Sequence, residues 1–414
     1  MNSARADALS ARSRVADHWI ARNAESFRHL PPPAAEVWLG DTAASAAACE
    51  ASPLAGAGWM LQPLGDTLLG RVDARWLDAN DPAQRAELFD GVAAPAGDDA
   101  APFAWAHRAL CRRGLRLRIG GGDAGADARA VWLHLRHQPR SDVEAPMLVV
   151  DLLPGARCVL VEAHEHDAQA CGRAVVQNLH VHLHLGRGAE LQHLRIVTPA
   201  AQDRVAHHVH AALERSAVYR QALLASGSGY HLQRSVLALR GAEASARTGA
   251  ALLAGASASL EQQLRVTHGA AGTASGVEAL ALGGSGARVV VDAYGRIDAG
   301  ADDAELRQRL GAIPTGGQPR LVLRPQLEIL HDRVQAAHGA TWGALPEEAL
   351  FYAAQRGLGE REARALIVEG LAGAALARAL EAPELLDTLG VAARLGRAVA
   401  RHLGGAAREE ACHG

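Results

Sequence analysis

A chain of 414 residues with 42 basic and 45 acidic residues has a formal net charge of -3. That leaves room for a sizeable core and no field that would draw nucleic acid or an anionic membrane. All 42 basic residues are arginine, which removes phosphate-loop nucleotide hydrolysis and Schiff-base or pyridoxal catalysis, because each needs a lysine amine. Five cysteines, Cys49, Cys111, Cys158, Cys171 and Cys412, form no C-x-x-C pair, which argues for reduced thiols and against a disulfide framework or an all-thiolate metal site.

The segment Met1 to Trp19 mixes arginine, aspartate and alanine without an apolar run, so neither a secretory signal nor a membrane anchor is expected, and the location expected is cytoplasmic. Ala8, Leu9, Val15, Ala16, Trp19, Ile20, Phe27 and Leu30 recur at helical spacing, and Pro31, Pro32 and Pro33 stop that helix. Two further helices are expected near Pro82 to Phe89 and Pro102 to Arg113, so residues 1–113 read as a mainly helical N-terminal region.

From Leu115 the period changes to two, through Val131 to Leu135, Met147 to Leu152 and Cys158 to Val161; the clearest alternation is Leu179, Val181, Leu183 and Leu185. Small pairs stand ahead of strands at Gly155-Ala156, Gly188-Ala189, Ser216-Ala217, Gly241-Ala242, Gly255-Ala256 and Gly286-Ala287. Short strands with tight corners and few Asn-Gly hairpins favour a parallel β-helix over a closed barrel, so residues 114–330 read as a β-helix core. Helical periodicity returns after Ala340, with helices opening at Pro346-Glu347-Glu348 and running over Glu360 to Leu380 and Pro383 to Leu403. Residues 331–414 therefore read as a C-terminal helical domain with a frayed tail.

Several groups could carry chemistry. His180, His182 and His184 share one face of a strand, but neighbours there are about 7 Å apart, too far to reach one ion together, so a solvated face is expected. His207, His208 and His210 take the same reading, at a loop or strand edge. Glu162, His164 and His166 share a face, with Glu165 beside them, and read either as a mixed carboxylate and imidazole site or as surface polar residues. Gly120-Gly121-Gly122 and the glycines at 283–286 lack a dinucleotide-binding spacing and read as turns. Asp302 and Asp303 leave open a β-helix polysaccharide enzyme, although aromatics are only 4% of the chain, too few for carbohydrate platforms. A plain interaction scaffold is the third reading.

The run Arg324-Pro-Gln-Leu-Glu-Ile-Leu-His-Asp-Arg-Val-Gln-Ala-Ala-His-Gly-Ala-Thr-Trp-Gly343 closely resembles the signature of the SufB/SufD family of iron-sulfur cluster assembly proteins, on its SufD side. The likeness continues through Glu347-Glu348-Ala349-Leu350-Phe351-Tyr352 and Gln355-Arg356-Gly357. The resemblance implies a mainly β chain with a right-handed parallel β-helix between helical ends. It implies a non-catalytic scaffold subunit that pairs with a SufB-type chain and takes a SufC-type ATPase on its C-terminal helices; the shared pairing surface leaves a homodimer possible when the chain is isolated. Glu347, Glu348, Phe351, Tyr352 and Arg356 are the docking residues so implied. His338 matches the family histidine at the heterodimer interface, where it would touch a transient iron-sulfur cluster as a metal ligand, with Glu328 and His331 as supporting groups. No cofactor is expected to stay bound to this chain, and flavin is a ligand the whole complex could hold. Ala336 stands where a cysteine is often found, which excludes a thiolate ligand there.

Overall fold

The period-two segments pair with one another across coils rather than along the chain. A computed structural model of the protein describes residues 3–40 apart from 22, 55–65 apart from 57, 69–95, 99–120, 130–139, 142–166, 174–380 and 385–404. Six strands lead into the fold: β1 (Ala55–Gly56), β2 (Trp59–Pro63), β3 (Val72–Asp78), β4 (Arg113–Ile119), β5 (Val131–His137) and β6 (Val143–Glu144). The coils follow as β7 (Met147–Leu152), β8 (Arg157–Glu165), β9 (Val176–Leu185), β10 (Glu190–Thr198), β11 (Arg204–Leu213), β12 (Val218–Ser226) and β13 (Tyr230–Leu239). They continue as β14 (Ser245–Ala254), β15 (Ser259–His268), β16 (Ala274–Gly283), β17 (Arg288–Ile297), β18 (Ala304–Pro314), β19 (Arg320–Ile329) and β20 (Val334–Trp342).

Even-numbered strands from β8 to β20 stack into one sheet and odd-numbered strands from β7 to β19 into the other, each strand parallel to its neighbours. The result is a two-sided parallel β-solenoid of about seven turns over residues 114–342. The last strand thus lies beyond residue 330, where alternation in the sequence fades because Ala336, Gly339 and Ala340 give it little apolar contrast.

Corners between the sheets explain the spacing of the small residues. Gly155, Gly188, Ser216, Glu243, Gly272 and Asp303 all take left-handed backbone conformations, with φ between 54° and 69°. Each donates its N–H to the carbonyl of the corresponding corner one coil on, at Arg187, Arg215, Ala242, Ala271, Asp302 and Arg333, over 2.8–3.0 Å. That ladder offsets the cost, of order 1 kcal/mol or more, of a left-handed conformation at Ser216, Glu243 and Asp303. At Gly241-Ala242 and Gly255-Ala256 the left-handed residue stands two places after the glycine, at Glu243 and Ser257.

Inward side chains of both sheets form one continuous core, including Leu160, Leu179, Val181, Leu183, Leu185, Leu223, Leu252 and Val289. The outer face of the even-stranded sheet packs Val161, Leu194, Leu224 and Leu253 against C-terminal helices, where Val368, Leu376 and Val399 are buried. The odd-stranded sheet buries Ala206, Leu232 and Val290 against N-terminal Phe27, Trp38 and Phe103. Of the helices, α1 spans Ser3–Asp17, α2 Ala35–Leu39, α3 Pro82–Leu88 and α4 Ala101–Leu110; after the solenoid come α5 (Glu347–Gln355), α6 (Glu360–Ala377), α7 (Leu385–Thr388) and α8 (Val391–His402).

Three expectations change here. The long first helix ends at Asp17, and Phe27 and Leu30 reach the same apolar cluster through a separate turn. The expected final helix is two, divided by Gly390 at φ 62°. Residues 1–113 also contribute strands: β2 runs antiparallel to β5 and β3 antiparallel to β4, closing the first coil, with Trp59 and Leu61 buried and Met60 between them exposed. Cys111 and Cys158 are buried free thiols pushed up to about 12 by burial, whereas Cys49, Cys171 and Cys412, Gly121 and Gly122, and the tail after Gly404 lie outside the described residues. Among the described residues no helix is long and apolar enough to cross a membrane.

The helix-on-sheet layer depends on one missing side chain. A Cβ at Gly249 in β14 would stand 2.6 Å from the Ala375 carbonyl oxygen and 2.8 Å from the Ala379 Cβ. Gly249→Val is expected to destabilise the protein by about 1–3 kcal/mol in urea unfolding. Gly276→Ala, where the nearest atoms are 3.9 Å away, should stay within about 0.5 kcal/mol of the parent. Equal effects would show that α6 does not rest on β14.

Candidate functional site

The two ends of the solenoid differ. The first coil is closed by antiparallel strands, while β19 and β20 are, among the described residues, the last members of their sheets. A terminal strand leaves a row of backbone donors and acceptors without a neighbour, which is a template for another chain. In β20, His338 lies opposite Gln308 of β18 and shares a face with Ala336, Ala340 and Trp342. That face continues the solenoid interior, since Gln308 is buried and Ala340 packs on the main core. His338 is exposed at the open mouth, Trp342 is 60% exposed, and Ile329 and Leu330 stand exposed across from them. Gln308 donates through Nε2 to the Gln326 carbonyl over 3.2 Å, and its Oε1 has no hydrogen-bond partner.

The supporting residues expected around His338 are placed elsewhere. Glu328 has the opposite parity to Leu323 in β19 and faces outward, accepting from the Tyr294 hydroxyl, with Arg296 3.7 Å away. His331 sits at a corner and its Nε2 lies 2.6 Å from Asp302 Oδ1. That bond, with Arg333 beside it, holds the Asp302 carboxyl below its usual range. Strand alternation is the reason: residues 328 and 338 belong to different sheets and to opposite faces.

Helix α5 follows the mouth directly. Pro346 caps it in an extended conformation, Glu347 and Glu348 complement the helix dipole in its first turn, and Gly357 at φ 80° follows its last turn. Only Ala353 is buried. Phe351 is 64% and Tyr352 56% exposed, and the Arg356 guanidinium lies 3.5 Å over the Tyr352 ring. Glu347, Glu348, Phe351, Tyr352 and Arg356 therefore share one solvent-facing helix and its C-cap, next to the exposed mouth.

A second group is hidden. Glu162, His164 and His166 are buried, which overturns the surface reading for all three; Glu162 and His164 point inward between the sheets. Glu162 is fully enclosed. It accepts from His164 Nε2, from His193 Nε2 over 2.8 Å, and from Arg195 over 3.2 and 3.3 Å. Arg195 also donates to Gln233 Oε1 over 2.9 Å and to His207 Nδ1 over 3.2 Å. The chain of bonds continues from His207 to Gln177, from Gln177 to His137 over 3.0 Å, and from Gln233 to His231 over 2.7 Å. Burial acts to raise the Glu162 carboxyl, but Arg195 and then His164 overcome it and hold it well below the carboxylate range. Burial outweighs Glu162 at His164 and pushes that imidazole down to about 4, and burial takes His231 to about 4 as well. The network is a paired carboxylate and guanidinium surrounded by imidazole rings, able to hold charge and orient protons but closed to substrate.

The remaining histidines divide by strand parity. His207 belongs to this interior network, while His180, His182 and His184 of β9 and His208 and His210 of β11 face outward. They are not a solvated face: His180 is 2% exposed and His208 is buried, with His107 of α4 4.4 Å from the His180 ring. His184 Nδ1 bonds Asp151 Oδ1 over 2.8 Å, and Asp151 also accepts from Arg116. Sequence alternation shows that 180, 182 and 184 share a face; only the docking of α4 shows that the face is covered.

An ion-paired interior, a capped first coil and an open last coil beside exposed aromatics define a two-sided parallel β-solenoid. Residues 135–371 match the family described as SUF system FeS cluster assembly, SufBD core domain, and the chain belongs to that family. It is 35% identical over 78 residues to an iron-sulfur cluster assembly SufBD family protein of Synechocystis sp., covering 19% of this chain and 15% of that one. It is 39% identical over 74 residues to the iron-sulfur cluster assembly protein SufD of Escherichia coli K12, covering 18% of this chain and 17% of that one. The matched stretches thus span less than a fifth of either relative.

The buried rings set the acid limit of the fold. His107, His164 and His231 are pushed from 6.5 to about 4, so the unfolded chain binds more protons than the folded one between those values. Stability is therefore full above pH 6.5 and falls as pH drops toward 4, by up to about 4 kcal/mol per pH unit for three rings together. Glu162 adds a loss below pH 4.5, where its unfolded counterpart takes up a proton. Urea midpoints measured from pH 7.5 to 4 check this, and a flat profile would contradict neutral burial.

Proposed function

We propose that this chain is a SufD-type scaffold subunit that works in the cytoplasm in iron-sulfur cluster assembly and hydrolyses nothing itself. The observation that carries the reading is the open solenoid mouth, where the family's histidine position, His338, stands exposed between two unpaired strand edges. A SufB-type subunit would pair there by adding its own last strands to β19 and β20, burying Ile329, Leu330 and Trp342. Family membership supports that choice of partner. In the isolated chain the same edges allow a second copy, giving a homodimer.

The cluster is cargo in this reading. His338 supplies one imidazole nitrogen, a ligand of intermediate softness suited to iron, and the partner supplies the remaining ligands. Glu328 and His331, engaged with Tyr294 and Asp302, serve the outer surface and the corner in place of the ligand set. A SufC-type ATPase would dock on α5 through Phe351, Tyr352 and Arg356, with Glu347 and Glu348 at its rim. Because α6 packs on β14 while α5 stands beside the mouth, motion of a docked ATPase would reach the interface through one rigid layer. Flavin belongs to the assembled complex in this picture. Asp302 and Asp303, the acids of the polysaccharide-enzyme alternative, lie at a corner beside His331 and Arg333.

Co-expression with SufB-type and SufC-type chains of the same organism tests the proposal. A stable complex with stimulated ATP hydrolysis is expected. His338→Ala should leave complex and ATPase intact while cutting cluster accumulation by at least about tenfold, and unchanged cluster assembly would remove the ligand role. Phe351→Ala and Tyr352→Ala should each weaken ATPase association by about 1–3 kcal/mol, measured by titration calorimetry. Full association by the double variant would place the docking surface elsewhere.

A further inference from the structure

The outward histidines of β9 and β11 have no part in the reading above, and three strands separate β11 from the open end at β19. We propose that His180, His182 and His210 form a binding site for a divalent first-row transition ion. One nitrogen from each of the three lies within 4.8 Å of the other two. Spacing along a single strand forbids such convergence for His180, His182 and His184, but His210 is the register partner of His182 on the neighbouring strand. Directly opposed side chains in a sheet are about 5 Å apart, against about 7 Å along a strand, so the third ligand arrives across the sheet. The ring centroids of His182 and His210 are 4.9 Å apart, and His180 stands 5.8 Å from His210.

A second observation points to a ligand. His180 is buried beneath α4, lines a cavity of about 290 Å³, and its Nε2 has no hydrogen-bond partner. A buried polar atom left unsatisfied costs about 1–3 kcal/mol, which metal coordination would remove. His182 and His210 are half-buried and line the same cavity.

The donor set selects the ion. Three imidazole nitrogens suit zinc, cobalt, nickel, copper or ferrous iron, and suit the oxygen-seeking magnesium and calcium poorly. Tetrahedral coordination at about 2.1 Å places ligand nitrogens about 3.4 Å apart, so the two half-buried rings must turn inward by about 1 Å. Their position at the cavity leaves them room to do so. A fourth position faces the cavity, where Arg234 and Arg240 also lie, and their charge favours an anionic co-ligand or hydroxide there.

This site does not rest on the proposed function, and its test is separate. The untagged full chain, stripped with a chelator, is titrated with Co²⁺ alone at neutral pH. One equivalent per chain should produce a visible d–d absorption band that Zn²⁺ abolishes by displacement, and Zn²⁺ should raise the melting temperature. His182→Gln and His210→Gln, at half-buried positions that keep the fold by circular dichroism, should each weaken Co²⁺ binding at least tenfold, and the pair should abolish it. His338→Ala should leave it unchanged. Absence of the band, or a band that survives the folded double variant or disappears with His338→Ala, overturns the proposal.

Discussion

Every strand between the two ends of the solenoid finds its backbone partners one coil earlier and one coil later, 26–32 residues away at the corners that link them. No strand from β7 onward is satisfied by its sequence neighbour. Register therefore passes from coil to coil, held along one row of corners by left-handed residues whose N–H groups reach the next corner. Side-chain parity, the closed first coil, the open last coil and the placement of each candidate residue all derive from that stacking. A strand at the end of such a stack has satisfied only half of its backbone, and β19 and β20 are in that state beside exposed apolar side chains.

Around Glu162 the interior offsets charge burial by direct pairing. Burying the Glu162 carboxylate alone would cost several kcal/mol, and Arg195, His193 and His164 offset that only because all four occupy adjoining rungs of β8 and β10. Such a network is weak evidence for stability. It does restrict register, because a shift of one residue would turn Glu162 and Arg195 out against the helices and leave their partners buried without a bond. The same parity rule divides His207, which serves the interior, from His208 and His210, which face α4.

The two outer faces are covered by different ends of the chain. N-terminal helices cover the odd-stranded sheet and leave a histidine-lined cavity between α4 and β9 and β11. C-terminal helices cover the even-stranded sheet closely, as Gly249 against α6 shows, and present α5 next to the mouth. The chain thus separates an open strand edge at its last coil from a nitrogen-rich pocket near its first coils.

Much of this was legible in the residues. Alternation at Leu179, Val181, Leu183 and Leu185, the corners at Gly155, Gly188 and Gly286, and the helix opening at Pro346-Glu347 are local properties, fixed by side-chain parity and backbone sterics within a few residues. The ordered run from Arg324 to Gly343 carried the family resemblance on the same basis. Whether a polar residue on a strand faces water, the interior or a helix is not local, because both faces of each sheet are covered and alternation marks two faces without saying which is wet. For that reason Glu162, His164 and His180 looked like surface groups. Only the stacking of coils about thirty residues apart brought His210 to His182, enclosed Glu162 with Arg195, and set Glu328 on the opposite side from His338.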